Sequence, residues 1–156
     1  MQLHDKRVIV VKRTAKGKSL GEIGGPGGWE QSEMTLDIDD TDAAFKPPVW
    51  RFAYVPILLD YDDITKEWFV VATFYTCVGW YQLGRPDLPY IEYRARSGGW
   101  EGVPLAEGQV GKKTNLLADV SSGGESPLVT LEEKKKRRRD TAERFRSIIS
   151  KWHTTC

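Results

Sequence analysis

Four acidic side chains near the centre of the chain are of the type that carries out general acid–base chemistry. Asp60, Asp62 and Glu67 lie within eight residues of one another, and Glu92 follows 25 residues later. Many hydrolases hold two carboxyl groups across a bond, one donating a proton and the other accepting it. Aspartates between apolar runs are also ordinary turn residues. A small carboxylate-dependent hydrolase is therefore the second alternative for function, and no residue is assigned a catalytic role.

The motifs of this chain predict neither a metal site nor a cofactor. Segments 37–42 and 60–67 place oxygens at alternate positions, but they lack the glycine and glutamate of an EF-hand loop. The glycine-rich stretch 21–28 lacks the Gly-Lys-Ser/Thr ending of a P-loop. His4 and His153 have no thiol or carboxylate ligand pattern nearby. Whether the protein is an enzyme is left open, and so is an irregular cation site in the two acidic segments.

The strongest charge feature is an unbroken run of six cations near the C-terminus. The run consists of Lys134, Lys135, Lys136, Arg137, Arg138 and Arg139. Six successive cations cover the whole circumference of a helix, so they do not share one face. Contacts to phosphates would give an affinity that falls with salt, which makes a nucleic-acid-binding protein the first alternative. The ordinary interpretation is a solvated helix that partly pairs with the acidic segment of the same molecule, and an acidic protein partner or an anionic surface is a further alternative.

Aromatic residues are crowded into the middle of the chain. Thirteen of the 17 lie between Trp50 and Trp100. Three of them, Trp80, Tyr81 and Trp100, stand beside loop-like residues and are candidates for an exposed binding surface. The ordinary alternative is that they anchor the core or the loops. We assign binding roles to these three residues and to the six cations of 134–139.

The net charge of +1 hides segments of opposite sign. Residues 1–29 hold six basic and two acidic groups, residues 30–67 hold three and ten, and residues 132–151 hold nine and four. Such segments either neutralise one another within the molecule or face different partners.

The segment 50–77 predicts a β-hairpin. Two apolar runs flank the polar residues 60–66, which have the chemistry of a turn. Pairing Tyr61 with Lys66 puts Leu59 opposite Trp68 and gives one continuous apolar face, as a half-buried hairpin requires. Pro56 has no amide proton to donate and must lie at an edge or a bulge.

A second hairpin and two N-terminal strands complete the predicted sheet. Residues 90–96 and 100–103 flank Ser97-Gly98-Gly99, and a turn at the two glycines would place Arg96 opposite Glu101. The β-branched run Val8–Val11 and the alternating residues 29–39 each read as a strand.

A long C-terminal helix is predicted over 131–152. Thr130 and Glu133 form a capping box, which marks a helix start. The apolar residues that follow recur at spacings of three and four, which is typical of a helix face that docks on a core. They are Ala142, Phe145, Ile148, Ile149 and Trp152.

Cys77 and Cys156 are the only cysteines. Cys77 follows a strand-like run and is expected to be a small buried apolar residue, and Cys156 is expected to be exposed. Whether they pair is left open, because sequence does not show whether they meet. The N-terminus has no apolar signal-like region and no stretch is long enough to span a membrane, so a cytoplasmic chain is expected; a processed exported chain is the alternative.

Just under half of the chain, within 50–117, resembles small bacterial proteins of uncharacterised function. The resemblance is carried by Leu59-Asp60-Tyr61-Asp62, 72–77, Trp80-Tyr81 with 84–86, Glu92-Tyr93-Arg94, Trp100 with 103–105, and Gly111 with 115–117. It implies a bacterial or phage origin and a compact β-rich domain. It brings no activity and no site residue.

The sequence therefore predicts an α+β fold: one antiparallel sheet of about five to seven strands, built from hairpins, with one amphipathic C-terminal helix packed on it. We divide it into N-terminal strands and a glycine-rich loop (1–49), a β-rich core (50–120), a linker (121–130) and the helix (131–152), all in one domain. A non-catalytic protein-interaction module is the leading function, with the partner's identity and the oligomeric state left open.

Overall fold

The chain folds mainly as β-strands. The computed structural model describes residues 1–20, 28–39, 46–96, 98–116, 132, 142–153 and 156. The strands are β1 Val10–Leu20, β2 Gly28–Asp39, β3 Trp50–Phe52, β4 Val55–Asp62, β5 Glu67–Thr73, β6 Ile91–Arg96 and β7 Gly99–Val103. One short helix, α1 Cys77–Gln82, follows β5, and 3-10 turns lie at Glu107–Gln109 and Glu143–Phe145.

The strands form two antiparallel sheets, so the prediction of one sheet is wrong. The first has the order β1-β2-β3 and the second the order β4-β5-β6-β7. The seven strands fall within the predicted number. The chain leaves the first sheet at a bend over Ala53 and Tyr54, inside a run that the sequence predicted as one continuous strand.

The four-stranded sheet is the middle layer of the protein. One face packs against the first sheet, where Leu59, Trp68 and Val70 meet Met34 and Leu36. The opposite face is covered by the C-terminal segment in a second apolar cluster. That cluster contains Val55, Ile57, Leu58, Phe69, Val71, Tyr90, Phe145 and Ile148. The first hairpin is therefore buried on both faces rather than on one.

The first hairpin is confirmed, with a register two residues away from the predicted one. Tyr61 lies opposite Trp68 and Leu59 opposite Val70. Asp62 closes the turn, because its Oδ1 accepts hydrogen bonds from the amides of Ile64 (3.0 Å) and Thr65 (3.2 Å). Lys66 adopts φ 59° and donates its amide to the Asp62 carbonyl at 2.7 Å. A side chain that caps the turn moves every pair that follows.

Pro56 lies at an irregularity in the β4 ladder, as predicted. The register shifts between Pro56 and Leu58. As a result Ile57 joins the second cluster rather than the face of Leu59. A bulge of this kind turns one side chain to the other side of the sheet.

The second hairpin is also confirmed and is also displaced by two residues. Arg96 pairs with Gly99, and Arg94 pairs with Glu101. The predicted contact between Arg96 and Glu101 nevertheless forms, along a diagonal of the ladder. Gly99 has φ 137°, a backbone conformation that favours glycine.

The N-terminal strands are longer than predicted. β1 begins at Val10 and continues through Lys16-Gly17-Lys18 to Leu20, whereas the predicted strand ended at Val11. It pairs with β2 along its whole length, with a shift between Lys16 and Gly17. β1 lies at an edge of the three-stranded sheet, and residues 21–27 lie outside the described residues.

The predicted C-terminal helix is wrong over its second half. Glu143–Phe145 form a 3-10 turn, after which Ile148 donates its amide to the Lys112 carbonyl at 2.9 Å. In the opposite direction, the Thr114 amide donates to the Arg146 carbonyl at 3.0 Å. Carbonyl groups that a helix would use internally are therefore satisfied by a distant segment. The apolar stripe still docks, because Phe145 and Ile148 are buried.

The remainder of the predicted helix mostly lies outside the described residues. Only Glu132 of 131–141 is described, and it is helical. The predicted linker 121–130 and the cation run 134–139 are not described either.

Candidate binding surface

Helix α1 stands on the surface of the protein rather than in its core. It contains six residues, none of them buried. Gly79 allows it to lie close to the end of β5, because a Cβ at this position would come within 2.7 Å of the Phe74 Cβ. The helix therefore presents its side chains beside the ring of Phe74, the residue that follows β5.

Six aromatic side chains around α1 form what we call the aromatic belt. Its members are Phe74, Tyr75, Trp80, Tyr81, Phe145 and Trp152. Trp152 is the central link, with ring centroids 5.5 Å from both Phe74 and Trp80, edge to face in each pair. Trp80 in turn lies 5.3 Å from Tyr81. The belt thus joins α1 to the C-terminal segment and to the end of β5.

Two arginines lie over rings of the belt. The guanidinium carbon of Arg85 is 4.9 Å from the Tyr81 ring centroid. That of Arg144 lies 5.7 Å from the Phe74 ring and 4.6 Å from the Phe145 ring, so it connects the two. Cations over aromatic faces are favourable contacts that also keep a charge at the surface of an apolar patch.

Both of these arginines lack a carboxylate partner within the described part of the chain. The Nε atom of Arg144 is buried and makes no hydrogen bond there. Burial lowers the pKa of Arg144, with a smaller opposing effect from Tyr90. A half-buried cation without a counter-ion is a costly arrangement, and an incoming anion would relieve that cost.

Three exposed apolar side chains of this region lie in α1 or just before it. Val78 is 59% exposed, Tyr81 45% and Tyr75 37%. Exposed apolar residues scattered singly are normal, whereas a contiguous group is typical of an interaction surface. These three lie within seven residues of one another.

A disulfide holds the belt together. Cys77, the first residue of α1, is bonded to Cys156, with the Cα atoms 5.5 Å apart. The Tyr81 hydroxyl donates to the Cys156 carbonyl at 3.0 Å, and Trp80 Nε1 donates to the Pro86 carbonyl at 3.1 Å. The expectation that Cys77 is a buried apolar residue is wrong, because it is half-buried and covalently paired.

Tyr90 anchors the C-terminal segment beneath the belt. Its hydroxyl donates to the Ser147 carbonyl at 3.1 Å and accepts from the Ile149 amide at 3.1 Å. Burial raises the pKa of Tyr90 to about 12, partly offset by the Ile149 amide and by Arg144. The phenol is therefore a neutral donor at physiological pH.

The structure unites some of the predicted binding residues and separates others. Trp80 and Tyr81 are neighbours in the belt. Trp100 lies elsewhere: its Nε1 donates to the Pro48 carbonyl at 2.7 Å, and its ring packs on the core between the sheets. This is the anchoring role that the sequence offered as the alternative. The cations Lys134–Arg139 lie outside the described residues.

Sequence reasoning missed several members of the belt. Trp152 was assigned to a helix stripe and Phe74 to the apolar face of a hairpin, and neither Arg85 nor Arg144 was singled out. The two cysteines were the one available signal, since a bond between them would bring 77 and 156 together. The sequence alone leaves their pairing open.

Three of the four carboxylates proposed for acid–base chemistry surround Arg94. Its Nη1 lies 3.2 Å from Asp62 Oδ2 and 3.2 Å from Glu67 Oε2, and its Nε donates to Glu92 Oε1 at 2.7 Å. Glu92 is fully buried and also accepts the amide of Ala106 at 3.0 Å. The three acids are held by an arginine rather than arranged across an open cleft.

The electrostatics of this ion network stabilise its charged forms. Burial raises the pKa of Asp62, but hydrogen bonds from the Thr65 amide, Arg94 and the Ile64 amide outweigh it, so the pKa lies below its usual value. Burial lowers the pKa of Arg94, and its three carboxylate partners reverse the effect and raise it. The arrangement gives no support to a general acid, which would need a raised carboxyl pKa.

The fourth carboxylate, Asp60, belongs to a separate contact. It is buried, and its Oδ2 lies 3.0 Å from His4 Nδ1. The atoms are close, yet the angle does not meet the geometry of a hydrogen bond, since both His4 nitrogens lack hydrogen-bond partners. We interpret the pair as a contact that holds the N-terminal residues against β4.

Within the described residues, no group of three or more histidine, cysteine, aspartate or glutamate side chains is arranged to hold a metal ion. None of the described helices has the length and apolar character needed to cross a membrane. Comparison with family models, curated proteins and solved structures gives no match to this chain. The bacterial or phage origin and the cytoplasmic location stay predictions.

Proposed function

We propose that this protein is a non-catalytic protein-interaction module that binds an acidic, partly apolar polypeptide segment on the aromatic belt. The observation that carries the proposal is Arg144, a half-buried cation between two rings of the belt whose Nε has no hydrogen-bond partner among the described residues. A partner's carboxylate would supply the missing counter-ion, and its apolar side chains would cover Tyr75, Val78 and Tyr81.

The composition of the surface supports this partner. Interface cores are enriched in tryptophan, tyrosine, phenylalanine and arginine, which are the residues of the belt and its two cations. Arg85 is exposed beside Tyr81, so it offers a second cation to the same segment. The nine basic and four acidic residues of 132–151 add to the attraction of an acidic chain.

The geometry of the rings favours a polypeptide over a nucleic acid. Bases stack on free aromatic faces. In the belt, Trp152 packs edge to face on two rings, and a face of Tyr81 is covered by Arg85. Few flat faces are therefore left for successive bases, whereas Val78 and Tyr75 suit side-chain packing.

A random twelve-residue peptide library displayed on phage tests the proposal. Panning on the disulfide-bonded protein should enrich peptides that combine aspartate or glutamate with apolar residues. We expect Arg85→Glu and Val78→Glu each to weaken binding of a selected synthetic peptide by about tenfold or more. Lys12→Glu is the matched control, since it reverses an exposed charge on the first sheet, away from the belt.

Two outcomes would overturn the proposal. In the first, the enriched peptides carry no acidic residues, or they bind Val78→Glu as well as they bind the unmodified protein. In the second, a random single-stranded oligonucleotide binds more tightly than any selected peptide, loses affinity with salt and is rejected by Arg85→Glu. That result would assign the belt to nucleic acid.

A further inference from the structure

The disulfide between Cys77 and Cys156 is placed where it can control the aromatic belt. It joins the first residue of α1 to the last residue of the chain, 79 positions away. These are the two segments that supply Trp80 and Tyr81 on one side and Trp152 on the other. We infer that the bond is a redox clasp: the oxidised protein holds the belt assembled, and reduction takes it apart.

Noncovalent contacts also cross this junction within the described part of the chain. Trp152 touches Trp80, and the Tyr81 hydroxyl donates to the Cys156 carbonyl. Helix α1 has six residues and no buried side chain. Short helices are marginally stable without tertiary support, so the covalent bond is a large share of what fixes α1 against the C-terminal segment.

The contacts that hold the C-terminal segment on the four-stranded sheet do not depend on the disulfide. Phe145 and Ile148 are buried on the four-stranded sheet, and Tyr90 holds the backbone at Ser147 and Ile149. Opening the bond should therefore release α1 and the residues beyond Ile149 while this anchor stays in place. The belt would separate at Trp152 into a half on α1 and a half on the sheet.

The bond is accessible to a reductant, because Cys156 is exposed and Cys77 is only half-buried. A small dithiol attacks the Cys156 sulfur through its thiolate, forming a mixed disulfide and releasing the Cys77 thiolate, which takes up a proton. The second thiol of the reductant then displaces Cys156 as a thiol. The protein gains two thiols, and the dithiol leaves as its cyclic disulfide.

The consequence for binding rests on the proposed function. A peptide that spans both halves of the belt would contact only one half at a time after reduction. We expect its affinity to fall by about tenfold or more, which is within the range typical of coupling between two events in one protein. Binding would then respond to the redox conditions that the protein meets.

Hydrogen exchange followed by mass spectrometry tests the clasp without any partner. The protein is compared before and after treatment with dithiothreitol, and the opened bond is verified by a mass gain of two hydrogens. We expect faster exchange in peptides that cover Gly79–Leu83. In the folded helix the Gly79 amide donates to the Thr76 carbonyl, and the Leu83 amide donates to the Gly79 carbonyl. Exchange at Val70 and Val71 in β5 should not change, which shows that the core stays folded.

Affinity for a selected acidic peptide is then measured in both states. The Cys77→Ser, Cys156→Ser double variant should behave as the reduced protein whether or not dithiothreitol is present. If that variant fails to fold, reduced protein alkylated at both thiols replaces it. Unchanged exchange at Gly79–Leu83, or an unchanged peptide affinity after reduction, would overturn the clasp and leave the proposed function standing. A protein that binds no peptide in either state contradicts the proposed function, while the exchange data still decide the clasp.

Discussion

The side chain of Asn115 pairs with the backbone of Leu59 through two hydrogen bonds. Its Oδ1 accepts from the Leu59 amide at 2.9 Å, and its Nδ2 donates to the Leu59 carbonyl at 2.7 Å. The amides of Asn115 and Leu116 also donate to the Ile57 carbonyl, at 3.1 and 3.0 Å. β4 is an edge strand of its sheet, so this segment satisfies groups that a neighbouring strand would otherwise satisfy.

Replacing Asn115 should therefore destabilise the sheet at this edge. Asn115→Ala leaves the buried amide and carbonyl of Leu59 without partners, and we expect a loss of about 2–4 kcal/mol in the free energy of unfolding. Urea denaturation followed by fluorescence measures it. Lys113→Ala is the control, because its side chain is exposed two positions away. Equal midpoints for the two variants would contradict this account of the edge.

The ion network around Arg94 gives a second prediction. Arg94→Met leaves the fully buried Glu92 without its cation, and we expect a loss of about 3 kcal/mol. Adding Glu92→Gln to that variant should recover part of the loss, because the buried charge is then removed. Arg96→Met is the control, since its guanidinium is half exposed and its ion pairs contribute little. The account fails if the double variant is no more stable than Arg94→Met.

Tyr90 gives a prediction about alkaline pH. Its pKa rises from 10.0 to about 12 on folding, so the neutral phenol stabilises the fold. That contribution is fully present below pH 10 and is lost as the pH rises through about 12. Tyr90→Phe should cost about 1–2 kcal/mol at pH 7 through the lost hydrogen bonds. Between pH 9 and pH 12, the range in which the Tyr90 phenol ionises, the free energy of unfolding should also fall less in this variant than in the unmodified protein.

Tyr81→Phe is the matched control for Tyr90, since it removes an exposed hydroxyl bonded to the Cys156 carbonyl. We expect its decline at alkaline pH to follow that of the unmodified protein. A decline in Tyr90→Phe as steep as in Tyr81→Phe would show that Tyr90 does not anchor the C-terminal segment.

The turn of the first hairpin gives the fourth prediction. Lys66 adopts φ 59°, which is unfavourable for a residue with a Cβ. Lys66→Gly should raise the free energy of unfolding by about 0.5–1 kcal/mol, because glycine accepts this conformation freely. Asp63→Gly, in the same turn but without a positive φ, should instead lower it. Thermal denaturation of the two variants distinguishes the effects, and a loss of stability in both would refute the turn geometry.

The two hairpins show which structural features a local sequence pattern predicts and which it does not. The existence and antiparallel sense of each hairpin follow from apolar runs around turn residues, and the side of the sheet follows from alternation. The registers do not, since the Asp62 side chain and the Lys66 backbone decide where the first turn closes. A two-residue shift keeps the alternation of faces, but the bulge between Pro56 and Leu58 places Val55 and Ile57 in the second cluster, away from Leu59.

The C-terminal stripe shows the opposite case. Spacings of three and four at 142–152 identified the residues that dock, but a 3-10 turn followed by an extended segment presents them as well as a helix does. The choice between the two conformations was made by distant groups, the backbone of Lys112–Thr114 and the hydroxyl of Tyr90. Local spacing carries no information about such partners.

By itself the sequence determined the β-rich character and the two hairpins, because each depends on neighbouring residues. Only the tertiary structure decided the two-sheet arrangement, the hydrogen bond that anchors Trp100 to the Pro48 carbonyl, the pairing of Cys77 with Cys156 and the assembly of the aromatic belt. Those features join residues far apart in the chain. They depend on how buried surfaces and hydrogen-bonding groups are satisfied across the whole molecule.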